Sequence, residues 1–203
     1  MTTKIVAACA RLATLAAVFQ ICVLAAPPER IVLQTALGAI EVELYADKAP
    51  VTVANFLRLV DGGHLDGAQF FRTVSPENDN GSPVISVIQA GLGDKASPFP
   101  PIAHETTERT GLRHVDGTVS MARGDVGTAA SDFFICIGDQ PALDFGKTRN
   151  KDGQGFAAFG RVTEGMDVVR RIHALPANAP TEDAYVRGQL LDEPVRIVSA
   201  RRR

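Results

Sequence analysis

Apolar residues alternate with glutamates over residues 40–44, which read IEVEL. A period of two predicts a β-strand with one solvated face. An apolar run at 31–33 precedes this segment, and Gly38 lies between the two. The pattern therefore predicts a β-hairpin that turns at Gly38.

Further strand-like and helical patterns follow this hairpin. Strands are predicted at Gln69–Val74, Val84–Gln89, Thr118–Ala122, Phe133–Ile137, Phe156–Val162 and Val195–Ser199. Apolar spacing over residues 53–60 predicts a helix that begins near Pro50 and ends at Gly62, and Met166–Ala174 fits a second helix. Regular helices do not separate the strands, which disfavours a parallel sheet. We predict a mainly β fold, an eight-stranded antiparallel closed β-barrel capped by two α-helices.

Three polar connections are longer than most loops. They lie at Ser75–Ser82, Asp144–Gly155 and Ala177–Gly188. Loops of this length are often functional, or simply mobile.

The first 26 residues differ from the rest. Their charges are Lys4 and Arg11, and the apolar stretch LATLAAVFQICVLAA then ends before Pro27. A basic start, an apolar middle and small residues at the end are typical of a secretory signal peptide. We predict a signal peptide at residues 1–25, cleaved after Ala25, and a periplasmic or secreted protein. An uncleaved membrane anchor is the alternative, although the run is short for a membrane span.

Composition and charge exclude several classes of protein. With 45% hydrophobic and 22% charged residues, the chain is not a disordered one. A net charge of −2 does not suit a nucleic-acid partner, which calls for a basic domain. We interpret the basic cluster Arg201–Arg203 as a solvated end. Cys9 and Cys22 lie in the predicted signal peptide, so Cys136 has no disulfide partner and is expected to be a small buried apolar residue.

Common catalytic motifs are absent at useful positions. The sequence contains no GxxxxGK[ST], HExxH or CxxC, and its four histidines are scattered. His104 and Glu105 form a lone candidate pair of metal ligands, which we interpret as a surface pair. Cys136 could be a catalytic thiolate instead of a buried residue, but no His or Lys lies near it in the sequence. The residues alone indicate only a secreted, soluble, β-rich domain.

Four segments carry a more specific pattern. They are FFRTV at 70–74, VIQAG at 87–91, SMAR and SDFFICIG within 120–138, and PALD followed by GFAAFGRVTEGMDVV within 141–169. In this order and spacing they resemble the cyclophilin family of peptidyl-prolyl cis-trans isomerases, most of all its bacterial, single-domain branch. We place the domain at residues 29–201. The resemblance implies an eight-stranded barrel capped by two helices, in agreement with the pattern-based prediction.

The resemblance also implies roles for the residues that match family motifs. Arg72 matches the catalytic arginine, and Gln89 matches the glutamine that clamps the substrate backbone. The other implied substrate-binding residues are Phe71, Val87, Ala122, Arg123, Phe134, Leu143 and Phe156. Phe134 would form the floor of the proline pocket, whereas Phe133 faces the opposite side of the strand. From the string alone, Arg72 could equally be a surface arginine on an amphipathic strand.

The implied reaction needs few catalytic groups. Rotation about an X–Pro bond breaks no covalent bond, so we expect no nucleophile, metal or cofactor. The implied partners are proline-containing peptides and unfolded or folding proteins. We expect a monomer with no nucleic acid bound, and with no stable membrane association after signal cleavage.

Two departures from the family pattern bear on activity. Ser86 and Val87 stand where the family usually has a Phe and a Met in the pocket wall, so we expect a pocket that is shallower or rebuilt by an insertion at 75–84. Ala142 stands where some members carry the tryptophan that confers tight cyclosporin binding. These changes leave open an alternative, a weakly active peptide-binding or chaperone module with the same groove. A barrel that binds small molecules is a third reading, disfavoured by the specific run SDFFICIG.

Overall fold

Eight antiparallel strands close into one barrel in the computed structural model, which describes residues 28–203. The strands are β1 (Glu29–Thr35), β2 (Gly38–Leu44), β3 (Gln69–Val74), β4 (Val87–Gly91), β5 (Thr118–Met121), β6 (Phe133–Cys136), β7 (Ala157–Glu164) and β8 (Leu190–Arg202). Their order around the barrel is β1-β2-β7-β5-β6-β4-β3-β8, and β8 pairs back onto β1. This confirms the predicted fold. The predicted signal peptide lies outside the described residues, and within residues 28–203 no helix is long and apolar enough to span a membrane.

The predicted hairpin is formed by β1 and β2, which pair from Glu29 with Leu44 to Thr35 with Gly38. The Thr35 hydroxyl donates to the carbonyl of Gly38 at 2.7 Å and accepts from the amide of Leu37 at 3.1 Å. Gly38 has φ 136°, a backbone conformation that favours glycine. The turn therefore fixes the register that buries Ile40, Val42 and Leu44 in the barrel.

Two helices pack on the barrel, as the apolar spacing predicts. They are α1 (Pro50–Asp61), which contacts β7 and β8, and α3 (Met166–His173), which contacts β2, β3 and β4. A four-residue helix, α2 (Thr107–Thr110), was not predicted, because so short a helix has no apolar repeat to recognise. A 3₁₀ turn at Pro141–Leu143 is the remaining helical segment of the described chain.

Glu105 contradicts the prediction of a surface pair with His104. Its side chain is buried, and its carboxylate accepts hydrogen bonds from the amides of Val51 and Thr52 at 3.3 and 2.8 Å and from the Thr52 hydroxyl at 2.7 Å. The residue before α1, Ala49, offers no side-chain cap. A carboxylate at a helix N-terminus satisfies free amides and favours the helix dipole, so Glu105 caps α1 from a distant loop.

Most predicted strand ends are shifted in the structure, and those of β4 and β8 differ most. β4 begins at Val87 instead of Val84, because the chain before it belongs to the loop at 75–86. β8 is longer than predicted and extends through Arg202. The arginine cluster is thus exposed but not a free end, since Arg201 pairs with Asp66 at 2.7 Å and Arg202 with Asp61 at 2.6 Å. Exposed pairs of this kind contribute about 0–1 kcal/mol each.

Phe133 and Phe134 separate two apolar clusters. Phe133 is fully buried in the main core, where its ring meets that of Phe56 edge-on at 5.2 Å between centroids. Phe134 belongs to a smaller cluster with Val74, Ile85, Val87, Cys136 and Leu143. Adjacent residues of a strand point to opposite faces, so β6 supports the main core with one ring and this second cluster with the other. Cys136 is fully buried in the second cluster, as predicted, and burial raises the pKa of its thiol well above the usual value.

Candidate functional site

A cleft of about 480 Å³ opens over the smaller apolar cluster. Eight of the nine residues that the sequence assigned to catalysis or binding line it, namely Arg72, Val87, Gln89, Ala122, Arg123, Phe134, Leu143 and Phe156. Ile85, Arg149, Asn150 and Tyr185 also line it. The cleft thus brings together four segments that lie far apart in the sequence, and we call it the groove.

Arg72 is the central cation of the groove. It lies on β3, and its Nη1 donates to Gln89 Oε1 on β4 at 3.0 Å. Its Nε and Nη2 donate to Gln189 Oε1 at 2.9 and 2.6 Å. Burial lowers the pKa of the guanidinium, while Tyr185 acts in the opposite direction. Arginine stays protonated across the physiological range despite such shifts, so the groove holds a fixed, oriented positive charge.

Gln189 is a site residue that the sequence analysis missed. Its side chain is fully buried directly before β8, and its Nε2 donates to the carbonyl of Asn78 at 2.7 Å. That bond fixes the amide so that its oxygen faces Arg72. No motif marks Gln189, which lies 117 positions from Arg72 in the chain, so only the pairing of β3 with β8 reveals it.

Aromatic rings form the apolar floor. The Phe156 ring meets the Phe134 ring edge-on at 5.2 Å between centroids. Behind it, the imidazole of His114 stacks on Phe134 at 5.9 Å with an interplanar angle of 18°. The floor is therefore held from two sides, a geometry that aromatic rings prefer and that stabilises each pair by about 0.5–1.5 kcal/mol.

His114 belongs to a buried polar network behind that floor. Its Nδ1 donates to Asp144 at 2.8 Å, and its Nε2 lies 3.0 Å from the Ser120 hydroxyl. Burial alone would raise the pKa of Asp144, but the hydrogen bonds from His114 and the nearby charge of Arg113 lower it. These residue types resemble a hydrolytic triad, yet Ser120 is fully buried and does not line the groove. A nucleophile must reach its substrate, so the network supports Phe134 instead.

Ala122 and Arg123 follow the end of β5 at one side of the groove. The Ala122 amide donates to the carbonyl of Asp132 at 2.8 Å. The Arg123 side chain is almost fully buried, bonds the Asp152 carboxylate at 2.8 Å and donates to the carbonyl of Gly155 at 2.6 Å. Arg123 thus holds the 144–155 loop with its side chain and offers the groove its backbone.

The three long loops converge beside Arg72. Asp79 of the first loop and Arg149 of the second form a buried ion pair, with 2.6 Å from Nη1 to Oδ2 and 2.9 Å from Nη2 to Oδ1. The Tyr185 hydroxyl of the third loop accepts from Arg149 Nη2 at 3.1 Å. Burial alone would raise the pKa of Asp79, but Arg149 and the amides of Gly81 and Ile85 lower it.

The groove differs from the family pattern at Ser86, and the prediction that Phe71 lines it is wrong. Ser86 lies outside the lining, and its hydroxyl lies 3.0 Å from His173 Nε2 on α3. Ile85 and Val87 supply the wall instead, as the alternation of an extended chain requires. Phe71 lies in a neighbouring cleft with Gln69 and Leu190, because the register of β3 shifts between Phe70 and Arg72 and leaves Phe71 as an extra residue.

Within residues 28–203, no three His, Cys, Asp or Glu side chains are grouped so that they could hold a metal ion. The groove presents the Arg72 cation, the amide of Gln89 and an aromatic floor to a ligand.

Comparison with known proteins assigns the chain to a family. The family model described as cyclophilin type peptidyl-prolyl cis-trans isomerase/CLD matches residues 30–201. A peptidyl-prolyl cis-trans isomerase of Acinetobacter baylyi is 34% identical over 168 residues, which are 82% of this chain and 81% of that protein. Peptidyl-prolyl cis-trans isomerase A of Dickeya dadantii is 33% identical over 202 residues, covering 99% of this chain and 98% of that protein.

Solved structures show the same fold. The crystal structure of a Cryptosporidium parvum cyclophilin-type peptidyl-prolyl cis-trans isomerase aligns with a TM-score of 0.66 and 18% identity, covering 87% of this chain and 98% of that one. A second crystal structure of that protein, obtained in the presence of the dipeptide Ala-Pro, aligns with a TM-score of 0.63. From its strand order, its groove and these matches, the chain belongs to the cyclophilin-type peptidyl-prolyl cis-trans isomerase family.

Proposed function

We propose that the groove is the active site of this isomerase and that Arg72 is its catalytic residue. The enzyme catalyses rotation about X–Pro peptide bonds. In the proposal, the prolyl ring lies on Phe134 between Val87, Leu143 and Phe156, and the residue before proline lies along the backbone of Ala122 and Arg123. The observation that carries the proposal is the Arg72 guanidinium, held by two glutamines at the edge of an aromatic floor.

The physics of the reaction explains what Arg72 does. Amide resonance imposes a barrier of about 18–20 kcal/mol on rotation. As the amide twists, the resonance is lost and the proline nitrogen recovers its lone pair. An N–H donor on a cation bonds this nitrogen in the twisted state and not in the planar one. Because only interactions that strengthen in the transition state raise the rate, such a donor is catalytic.

Arg72 has donors to spare for this task. A guanidinium carries five N–H groups, and Arg72 uses three of them on Gln89 and Gln189. The Gln89 oxygen accepts one of these bonds, so the amide nitrogen is the end of the side chain that would donate to a substrate carbonyl in the proposal. Gln89 is thus the proposed clamp on the substrate backbone. Both roles follow from one hydrogen-bonded arrangement on β3 and β4.

A protease-coupled assay on an Ala-Pro peptide tests this function. The uncatalysed cis-to-trans step takes tens to hundreds of seconds, so catalysis is measured directly as a faster slow phase. We expect that phase to accelerate in proportion to protein concentration. The alternative, a peptide-binding or chaperone module with weak turnover, is favoured by the 75–84 insertion beside the groove. It predicts peptide binding, seen by chemical-shift titration, with little or no acceleration.

We also propose an exported protein that assists the folding of envelope proteins as a monomer. The basic start and apolar stretch of residues 1–26 support export. Its clients would be unfolded or folding chains with accessible X–Pro bonds.

A further inference from the structure

We propose that Tyr185 is a specificity-determining residue that selects an aromatic side chain at the substrate position after proline. The inference rests on the proposed function of the groove. Tyr185 lines the groove although it is 50% exposed. The exposed part of its ring is apolar surface that borders a peptide groove, and a bound side chain would cover that surface.

Tyr185 is anchored at both of its ends. Its hydroxyl accepts from Arg149 Nη2 at 3.1 Å, and its backbone amide donates to Asp183 Oδ1 at 2.8 Å. Its carbonyl accepts from Asn80 Nδ2 at 3.2 Å. The Arg72 guanidinium carbon lies 5.2 Å from the ring centroid, a cation–π contact. The ring is therefore oriented before a peptide arrives, which lowers the entropy lost on binding.

The anchor of Tyr185 is itself rigid. The Asp79 and Arg149 side chains are 1% and 2% exposed. Asp79 also accepts from the amides of Gly81 and Ile85 at 2.9 and 2.8 Å, while Arg149 donates to the carbonyl of Pro83 at 2.8 Å. Bidentate pairs of this type fix geometry as well as supplying energy. The 75–84 insertion thus serves to hold the Arg149 donor on which the Tyr185 ring rests.

The order of strands places Tyr185 on the far side of the reacting bond. The groove crosses neighbouring strands in the order β5, β6, β4, β3 and β8. In that spatial order its lining residues are Ala122, Phe134, Gln89, Arg72 and Tyr185. In the proposed function, the residue before proline lies at Ala122 and the proline lies over Phe134. A peptide that continues in this direction passes Arg72 and brings its next residue to Tyr185.

The charges around Tyr185 determine which substrate side chain fits after proline. Arg149 is already neutralised by Asp79, and Arg72 is a cation. A lysine or arginine after proline would face the Arg72 charge in a partly desolvated site, which is unfavourable. An aromatic side chain can stack on or meet the edge of Tyr185, an interaction that corresponds to a preference of about 3- to 10-fold.

The test compares Ala-Ala-Pro-Phe with Ala-Ala-Pro-Ala by NMR exchange spectroscopy, which needs no coupling protease. Wild-type protein should give a kcat/KM about 3- to 10-fold higher for the Phe peptide. Tyr185→Ala should bring that ratio close to one, whereas Tyr185→Phe, which keeps the ring, should retain most of it. Tyr185→Leu keeps apolar bulk without a ring and should also lose the preference. It serves as the test if the alanine variant does not fold.

Val198 supplies the control, since it is 51% exposed and does not line the groove. Val198→Ala should leave both rates unchanged. Equal loss on both peptides in Tyr185→Ala, or an unchanged ratio, overturns the inference. If wild-type protein accelerates neither peptide, the proposed function fails instead. In that case the two peptide dissociation constants are measured by chemical-shift titration. Tighter binding of the Phe peptide that Tyr185→Ala abolishes supports the inference, and a ratio that Tyr185→Ala leaves unchanged overturns it.

Discussion

The side-chain oxygen of Gln189 accepts two hydrogen bonds from Arg72, at 2.9 Å from Nε and 2.6 Å from Nη2. This pair joins the residue before β8 to the middle of β3 through a fully buried amide. The long arginine side chain would otherwise sample many rotamers. Gln189 therefore acts as a positioning residue, which holds the guanidinium where a twisted amide can meet it.

Replacing Gln189 by methionine should lower turnover without preventing binding. Gln189→Met keeps the length of the side chain but leaves Arg72 Nε and Nη2 without their acceptor. We expect kcat to fall about tenfold, which corresponds to about 1.4 kcal/mol of lost transition-state stabilisation, with KM changed less than kcat. Steady-state isomerase kinetics measure this split. Gln189→Glu keeps an acceptor oxygen and should retain most of kcat.

A double variant separates positioning from a general loss of stability. In an Arg72→Ala background, Gln189→Met has no guanidinium to release, so it should produce no further loss of turnover. The same tenfold loss in both backgrounds would mean that Gln189 acts independently of Arg72. A thermal melt of each variant shows how much of the folded state is present.

The Asp79–Arg149 pair should make stability depend on acid pH. Its interactions lower the pKa of Asp79 below the unfolded value of 3.8. This carboxylate therefore stabilises the fold above the unfolded pKa, and that stabilisation is lost as the pH falls through the lower folded pKa. Asp79→Asn leaves Arg149 buried without a counter-charge, which should cost about 3–5 kcal/mol at pH 7.

Chemical denaturation of wild type and Asp79→Asn between pH 7 and pH 2.5 measures the effect. The difference in unfolding free energy should shrink as the pH falls. Asp167 provides a matched control, since it pairs with Arg171 at 3.5 Å on the surface and is 79% exposed. Asp167→Asn should change stability by less than about 1 kcal/mol at any pH. A difference for Asp79→Asn that is constant with pH would show that the charge of Asp79 does not matter.

The fold could be predicted because its signals are local. Alternation in residues 40–44 and helical spacing in 53–60 each require only neighbouring residues, and both elements formed as expected. Motif matches likewise located Arg72 and Phe134. The prediction that Phe71 lines the groove is wrong because a motif gives a position in the chain but not the direction of its side chain.

The remainder of the site depends on contacts between distant segments. The residues that the sequence analysis missed come from loops with no periodicity, namely Gln189, Asp79, Arg149 and Tyr185. Arg149 lies 70 positions from Asp79, and Gln189 lies 117 positions from Arg72. Nothing local marks such residues, because closure of the barrel alone brings them together. The length of the three long loops predicts that they are functional or mobile, and in the structure all three meet beside Arg72.

Cyclosporin should inhibit this protein poorly. Ala142 lies in the 3₁₀ turn next to the pocket wall residue Leu143, at the position where the family resemblance puts a tryptophan in tight-binding members. Loss of an indole hydrogen bond and its buried ring corresponds to about 2–4 kcal/mol, or about 30- to 1000-fold in affinity. Ala142→Trp should recover part of that affinity in an inhibition titration. Nanomolar inhibition of the wild type would contradict the alignment at Pro141–Asp144.

If the protein is exported, its mature chain should lack residues 1–25. Protein recovered from its own cells should begin at or near Ala26 and fractionate outside the cytoplasm, because signal peptides are removed on export. N-terminal sequencing of the fractionated protein tests this. Intact Met1 in a soluble cytosolic fraction would reject the signal peptide, and intact Met1 in membranes would favour the uncleaved anchor.

The kcat/KM of Arg72→Ala measures whether the Arg72 guanidinium stabilises the twisted amide. We expect a loss of at least about 100-fold, or about 2.7 kcal/mol of transition-state stabilisation. Arg72→Lys keeps the charge but not the planar fork and should also be impaired. Arg171→Ala, an exposed arginine on α3, should leave turnover unchanged. A folded Arg72→Ala protein with turnover close to wild type would show that Arg72 is not the catalytic residue.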